Sequence, residues 1–574
     1  MNRALFLCSG ARMGRTWKDQ EWTTPRSLEH RGDAANMQMR IEQFGYALGV
    51  SPQSPLFDIL RIAAYVYVAD QSVSRGGDKD VYGTDWRRQL GLVIPVADPS
   101  LWSASATQSA LRTLLAQLTQ DAWEFEFVPL EADAQPTLAL EARTGKTGAD
   151  TVCLFSGGTD SLCATIDAVR KDNARPILLS HFSPGTVSSR QESLAASLEK
   201  RLPIPGLRRI ECWITRSGGD APEPQARSRS LLHAAIGVTA AVALGLNEVR
   251  LADNGVVSLN LPINAQLVGA RASRTTHPKS LWLMNRLFQA VFATAPSVIN
   301  PLAELTREEV LSTLTAAGLQ DLLRETVSCS RTRGLPADRP HCGVCSQCVG
   351  RRYATEAVGL AEWDGPALYV TDIFRHPLTD QNDARTVVLG FIRLANNILD
   401  QQDADLFETY PELSDVIQDD DLSPAKTVNR YIAMLRRHAS SVRRVTEIQM
   451  RDALPDYVAG RLQADSLFAV LQNINKLTPE VPSKEADPPF SHSDDYRSVR
   501  WRGRPYALTL QQAQVVEILH QAWKAGHPDV SQLEIMDRVG NPHGRLRGTF
   551  RGSGLFGNGF LVTIRRRGLY RLDI

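Results

Sequence analysis

The chain has 574 residues, of which 43% are hydrophobic and 22% charged, with a formal net charge of +1. That length implies roughly three or four domains, each with enough apolar sequence to bury a core. The near-neutral balance excludes a global field that would draw the chain to nucleic acid or membrane, and no apolar run approaches the roughly 18 residues of a membrane span.

Residues 1–36 read as irregular and polar, either a tail or a stretch ahead of a start at Met37. The apolar run at the beginning is broken too soon, by Arg12 and Arg15, for an export signal, so a cytoplasmic protein is expected. Residues 37–148 form an accessory α/β domain: 56–69 (LFDILRIAAYVYVA) has helical spacing, 92–96 reads as a strand, 109–118 as a helix, and 124–128 (EFEFV) alternates as a strand does. From 149 to 362, short apolar strands at 151–155, 177–182, 209–215 and 248–252 alternate with helices at 162–170, 190–201 and 230–244. Strands separated by helices of this length predict an α/β fold, a central parallel sheet with helices on both faces. Residues 363–477 carry helical patterns at 384–399 and 425–454, and the Pro-, Ser- and acid-rich stretch 478–496 reads as a linker. The remainder, 497–574, orders helix, helix, helix and hairpin, which is winged-helix-like.

The sharpest motif is TVCLFSGGTDS, residues 151–161, which runs from a buried strand straight into a helix. That geometry presents free backbone N–H groups to an anion. Gly157 and Gly158 allow close approach of phosphate, and the hydroxyls of Ser156 and Ser161 add donors. Phe155, Ser156, Gly157, Gly158, Thr159, Asp160 and Ser161 are therefore the candidate nucleotide-binding residues, with Ser156, Asp160 and Ser161 as the candidate catalytic ones. The charge of Asp160 repels phosphate unless Mg²⁺ lies between them, which assigns it a metal-bridging role. No Gly-Lys-Ser/Thr follows, which argues against γ-phosphate hydrolysis of the Walker type.

Four of the eight cysteines, Cys329, Cys342, Cys345 and Cys348, fall within twenty residues. Four thiolates at this spacing suit a closed, structural Zn²⁺ site. An iron–sulfur cluster is the rival reading, but the ferredoxin run with its fourth Cys and Pro is missing, which favours zinc. Cys153, Cys163 and Cys212 sit in apolar runs and read as small core residues.

The SGGTDS segment resembles that of the PP-loop ATP pyrophosphatases, whose HUP-like fold and cleavage of ATP between the α- and β-phosphates the resemblance implies. Ser328-Cys329 followed by HCGVCSQCVGRR (341–352) looks like the carboxyl end of 7-cyano-7-deazaguanine synthases. The resemblance covers about 210 residues and implies ATP and Mg²⁺ use, adenylation of 7-carboxy-7-deazaguanine, and conversion to an amide and then a nitrile. Arg229 resembles the family's Arg-containing helix start, which implies a nucleotide-binding role, and Arg307 stands where the family carries Lys, which makes it a candidate substrate-binding residue. The family's substrate segment has no clear copy. In its place stands 253–264 (DNGVVSLNLPIN), whose Asp253, Asn254 and Asn260 either read the edge of a deazapurine or form a turn. Arg271, Arg274 and His277 read as a solvated face, with no catalytic role for His277.

The added residues on both sides resemble enlarged synthase-like proteins of bacterial anti-phage operons. That implies a second outcome, an amide joining the deazaguanine to a partner protein whose amine replaces ammonia. Residues 497–574 hold thirteen basic and five acidic residues, a net of +8, including Arg565, Arg566 and Arg567 in the expected wing. This tail is suited to nucleic acid or to protein docking. Two other functions stay open: a different PP-loop reaction such as tRNA thiolation, for which Cys163 is the nearest thiol, and a nucleotide-sensing module that binds nucleic acid.

Overall fold

The computed structural model describes the chain except for residues 1, 15–16, 18–21, 23–24, 76–85, 132–147, 183–185, 205, 219, 263–273, 333, 379–383, 419–421, 464, 478–489, 494–495, 503, 542–543, 551–554, 556–558 and 564–567. It forms two compact units, Met1–Arg75 with Arg87–Asn473, and Gly76–Trp86 with Ile474–Ile574. Arg271, Asn264 and Arg565–Arg567 lie outside the described residues, as does most of the expected linker. Among the described residues no helix is long and apolar enough to cross a membrane.

The first unit opens with strands β1 (Asn2–Cys8), β2 (Arg26–Leu28), β3 (Met37–Met39), β4 (Arg88–Val96) and β5 (Ala122–Pro129). Four of them make a parallel sheet in the order β2-β1-β4-β5. This corrects the reading of residues 1–36 as irregular: β1 is an inner strand. Ala4, Phe6 and Cys8 face one core, while Leu5 packs with Trp17 and Val93 on the other side. A parallel strand covered on both faces carries no polar alternation, so its brief apolar run gives little signal.

The second parallel sheet contains β6 (Thr151–Leu154), β7 (Pro176–His181), β8 (Arg209–Cys212), β10 (Glu248–Arg250) and β11 (Ser297–Ile299), while β9 (Ile214–Arg216) pairs antiparallel with β3. Its order is β11-β10-β6-β7-β8, every pair parallel. Helices cover both faces, Thr159–Arg170 and Arg307–Ala317 on one, Arg229–Leu244 and Pro278–Val291 on the other. The direction of winding reverses between β6 and β10, and an open α/β sheet places its ligand crevice at the carboxyl ends of such a pair.

The two sheets do not have separate cores. Helix Asp58–Ser72 packs on Arg229–Leu244, and Ser105–Thr119 on Pro278–Val291, so that a single apolar cluster runs from Phe6 to Phe288. A buried charge network reinforces the join. Asp70 accepts from Arg88 at 2.5 Å and Arg75 at 3.1 Å, and its second oxygen accepts from the Ser228 backbone N–H at 2.9 Å and hydroxyl at 2.8 Å. Burial works to raise the Asp70 carboxyl, but the two guanidinium groups and the Ser228 bonds hold it below the usual range. Asp70→Ala would leave Arg88 buried with half its charge unmatched. An expected loss of about 3–5 kcal/mol follows, read as a shift in the urea midpoint.

Helices Ala384–Asp400 and Pro424–Val458 pack on each other and on Ser346–Ala357, and their core takes in Leu259, Leu261, Val349 and Tyr353. The helical region is thus fused to the second sheet. The second unit has two antiparallel sheets, β12 (Phe490–His492), β13 (Ser498–Trp501) and β14 (Arg504–Ala507), and β15 (Val530–Ser531), β17 (Leu569–Leu572) and β16 (Leu561–Thr563) in that order. Helices Leu510–Lys524, Gln532–Arg538 and Leu546–Thr549 precede the β16–β17 hairpin. The expected linker overran β12, where Phe490 is held by ring contacts with His520 and Phe560.

Candidate functional site

The loop after β6 sits at the reversal of the sheet. Phe155 donates its N–H to Leu179 O at 2.7 Å and is buried, so it props the loop from below. Ser156 is exposed, and Gly157 turns the chain at φ +79°, a left-handed conformation that favours glycine. The helix ladder begins with Leu162 N–H to Gly158 O, so the N–H groups of Thr159, Asp160 and Ser161 lie ahead of it and point to the loop side. Ser156 Oγ and Ser161 Oγ are 3.2 Å apart, and Gly158 N donates to Ser156 Oγ at 3.3 Å. The result is a compact cradle of N–H and hydroxyl groups at a helix N-terminus, fit to grip an oxyanion.

Asp160 looks across the reversal. Its Oδ2 accepts from the Asn254 backbone N–H at 3.0 Å and from Asn254 Nδ2 at 2.8 Å, joining the β6 loop to the β10 loop. Asp253 accepts from Thr276 Oγ1 at 2.9 Å, and Asn300 Nδ2 donates to its carbonyl at 2.7 Å. Burial first, then the Asp160 charge, push the Asp253 carboxyl up to about 7. In the unfolded chain it ionises near 3.8, so between about 4 and 7 the folded form binds more protons. Stability contributed here is present at low pH and lost as pH rises through 7. Asp253→Asn is expected to flatten that part of the melting-temperature profile and raise the melting temperature above pH 7 in the absence of ligands.

Asn254 and Asn260 flank the short helix Gly255–Leu259, Asn254 as its N-cap and Asn260 at its end with φ +45°. The Asn-Gly pair thus makes a helix start, and Asn254 and Asn260 both line a cleft beside the loop. Arg307 reaches the same cleft, where it donates to Gln347 O at 2.8 Å and Gln347 Oε1 at 2.5 Å. Arg229 is exposed at the first turn of its helix, near enough to His181 at the end of β7 to help lower that imidazole, after burial, to about 4. Arg274 donates to Gln117 O at 3.4 Å, and His277 caps helix Pro278–Val291 through Nδ1, a structural position.

Cys329, Cys342, Cys345 and Cys348 are all buried, with their sulfurs within 4.8 Å of one another. Cys342 and Cys348 Sγ are 3.9 Å apart, close to the roughly 3.8 Å that a tetrahedral site with Zn–S of about 2.3 Å requires. Backbone N–H groups of Arg331 and Cys342 point at Cys329 Sγ, and that of Cys345 at Cys342 Sγ, which favours thiolates. Gly343 makes the knuckle turn at φ +85°, where a Cβ would lie 1.6 Å from Thr371 O. The donor set fits Zn²⁺, with no position left for a substrate. Cys153, Cys163 and Cys212 are buried core thiols, and burial holds each well above its ordinary pKa, which leaves Cys163 unsuited to attack.

The cysteine cluster also holds the phosphate loop. Val327 N donates to Gly157 O at 2.9 Å, and Ser328 Oγ lies 3.3 Å from Thr159 Oγ1. Arg351, fully buried, ties Thr326, Leu323 O and Asp364 together behind that segment. Gln191 was not anticipated from sequence; its Nε2 donates to Ser156 O at 3.0 Å.

No family model matches the chain, and no solved structure does. A 7-cyano-7-deazaguanine synthase from Methanothermobacter thermautotrophicus is 28% identical over 242 residues, covering 38% of this chain and 98% of that protein. Loop, crevice and cysteine cluster agree with that similarity, and together they support an ATP-dependent, ligase-like reaction of PP-loop type on a chain distantly related to this synthase.

Proposed function

We propose that the protein adenylates a 7-carboxy-7-deazaguanine-like acid with ATP, releasing pyrophosphate, and passes the acyl group to an amine. The observation that carries this reading is the SGGTDS cradle at the sheet reversal, bonded through Asp160 to the Asn254 loop. A loop of N–H groups and hydroxyls stabilises the charge that develops on departing pyrophosphate, and the crevice holds the acid in line with the α-phosphate. Asn254, Asn260 and Arg307 supply amide and cationic groups to recognise a planar polar acid.

Magnesium would be held by Asp160 and Asp253, whose mutual repulsion marks a place short of positive charge, and it would neutralise phosphate oxygens there. Zinc in the four-cysteine site would be structural. The acceptor is ammonia, giving a nitrile after a second dehydrating adenylation, or an amine of a partner protein, giving a stable amide. We place the latter in anti-phage defence, with the basic second unit serving protein docking or nucleic-acid contact.

The test is release of pyrophosphate and AMP from ATP with 7-carboxy-7-deazaguanine, with and without ammonia, followed by mass spectrometry. Acid-dependent release supports the reading, and the product mass separates nitrile from conjugate. Absence of release with this acid would overturn the substrate assignment.

A further inference from the structure

The cleft at the sheet reversal has a second end that adenylation does not use. One side is Asn254, Arg307 and Gln347; the other is apolar, with Phe391, Leu394 and Leu435 supplied by helices Ala384–Asp400 and Pro424–Val458. At that apolar end lies His438. Its Nδ1 is 3.3 Å from Glu308 Oε1, and the two side chains are 9% and 10% exposed. Phe391 meets the imidazole edge-to-face at 5.5 Å.

Glu308 is a buried carboxylate with no hydrogen-bond donor of good geometry on either oxygen among the described residues. Burial works to raise its pKa, but the His438 side chain beside it outweighs burial and holds it low. One residue along, Arg437 of helix Pro424–Val458 binds Glu309 of helix Arg307–Ala317 at 2.7 Å. An imidazole that lines a cleft and has a carboxylate 3.3 Å from its Nδ1 is placed to serve as a general base.

We propose that this end of the cleft is the acceptor site, that it takes a primary amine borne on an apolar aliphatic group, and that His438, oriented by Glu308, removes the amine's proton. The inference rests on the acyl-adenylate reading above. In the step, the amine lone pair attacks the acyl carbonyl carbon and a C–N bond forms. The C–O bond to AMP breaks, AMP leaves with the electron pair, and the surplus proton on nitrogen goes to His438 Nε2. The apolar wall excludes water, which would otherwise hydrolyse the adenylate, and its Phe391, Leu394 and Leu435 side chains favour an alkyl-bearing amine over free ammonia.

The experiment uses the full chain and follows two half-reactions, acid-dependent exchange of labelled pyrophosphate into ATP, and amide formation from 3-methylbutylamine or from ammonium chloride. For His438→Ala, amide formation from 3-methylbutylamine is expected to fall about 10²-fold relative to exchange, and added imidazole to restore part of it. Leu394→Trp, at a half-buried wall position, is expected to raise the KM for 3-methylbutylamine at least tenfold while the KM for ammonia moves little. Exchange that persists with amide formation undiminished in His438→Ala, or diminished without imidazole rescue and with the Leu394→Trp KM unmoved, overturns the acceptor site alone. Absence of exchange in the parent protein overturns the adenylation reading, and this inference with it.

Discussion

Asp160→Asn is expected to lower acid-dependent pyrophosphate release by roughly 10²–10³-fold while zinc content and melting temperature stay near those of the parent. The reasoning separates charge from packing. Asn254 gives Asp160 Oδ2 two hydrogen bonds, at 3.0 and 2.8 Å, and asparagine keeps an acceptor for them. Alanine would leave two buried donors unpaired, at about 1–3 kcal/mol each, and would mix a folding defect into the result. What asparagine removes is the negative charge at the mouth of the cradle and the repulsion that, after burial, adds to the raised pKa of Asp253. If release in Asp160→Asn stays within a few-fold of the parent, Asp160 is a bridge between two loops and nothing more.

Cys348→Ser should have the larger effect on the protein as a whole. Cys348 is fully buried, and a hydroxyl in its place is a poor zinc ligand. Structural zinc sites of this kind contribute on the order of 10 kcal/mol of binding free energy that becomes folding free energy. Loss of the ion would release the 326–329 segment, and with it the bonds to Gly157 O and Thr159 Oγ1. The expected result is zinc below one equivalent by elemental analysis, a melting temperature lower by more than ten degrees, and no pyrophosphate release. Zinc retained with activity intact would mean that three cysteines suffice.

Several of these features are legible in the sequence because their signals are local. SGGTDS after an apolar strand encodes a cradle within eleven residues, and CGVCSQC sets three thiols on one knuckle and helix start. Helix Pro424–Val458 shows its apolar spacing over many turns. Other features leave no such trace. Gln191 lies in a polar run that reads as solvated surface, yet it spans 35 positions to hold Ser156 O. His438 follows Arg436 and Arg437, a basic stretch indistinguishable from an exposed face, and its partner Glu308 is 130 residues away. Asp70 and Ser228 meet across 158 positions. Strand β1 leaves no clear signal either, because a doubly covered strand of seven residues lacks the alternation that identifies a half-exposed one.

The continuous core between the two sheets also governs how the chain is made. Helices Asp58–Ser72 and Ser105–Thr119 find their apolar partners in Arg229–Leu244 and Pro278–Val291. On the ribosome those partners emerge roughly 170 residues later, a delay on the order of ten to thirty seconds at about 5–20 residues per second. For that interval the nascent amino-terminal sheet carries an uncovered greasy flank, an exposure that invites trigger-factor-like chaperones. Synonymous codon changes that slow elongation between residues 130 and 290 would lengthen it, lowering soluble yield without altering a single amino acid.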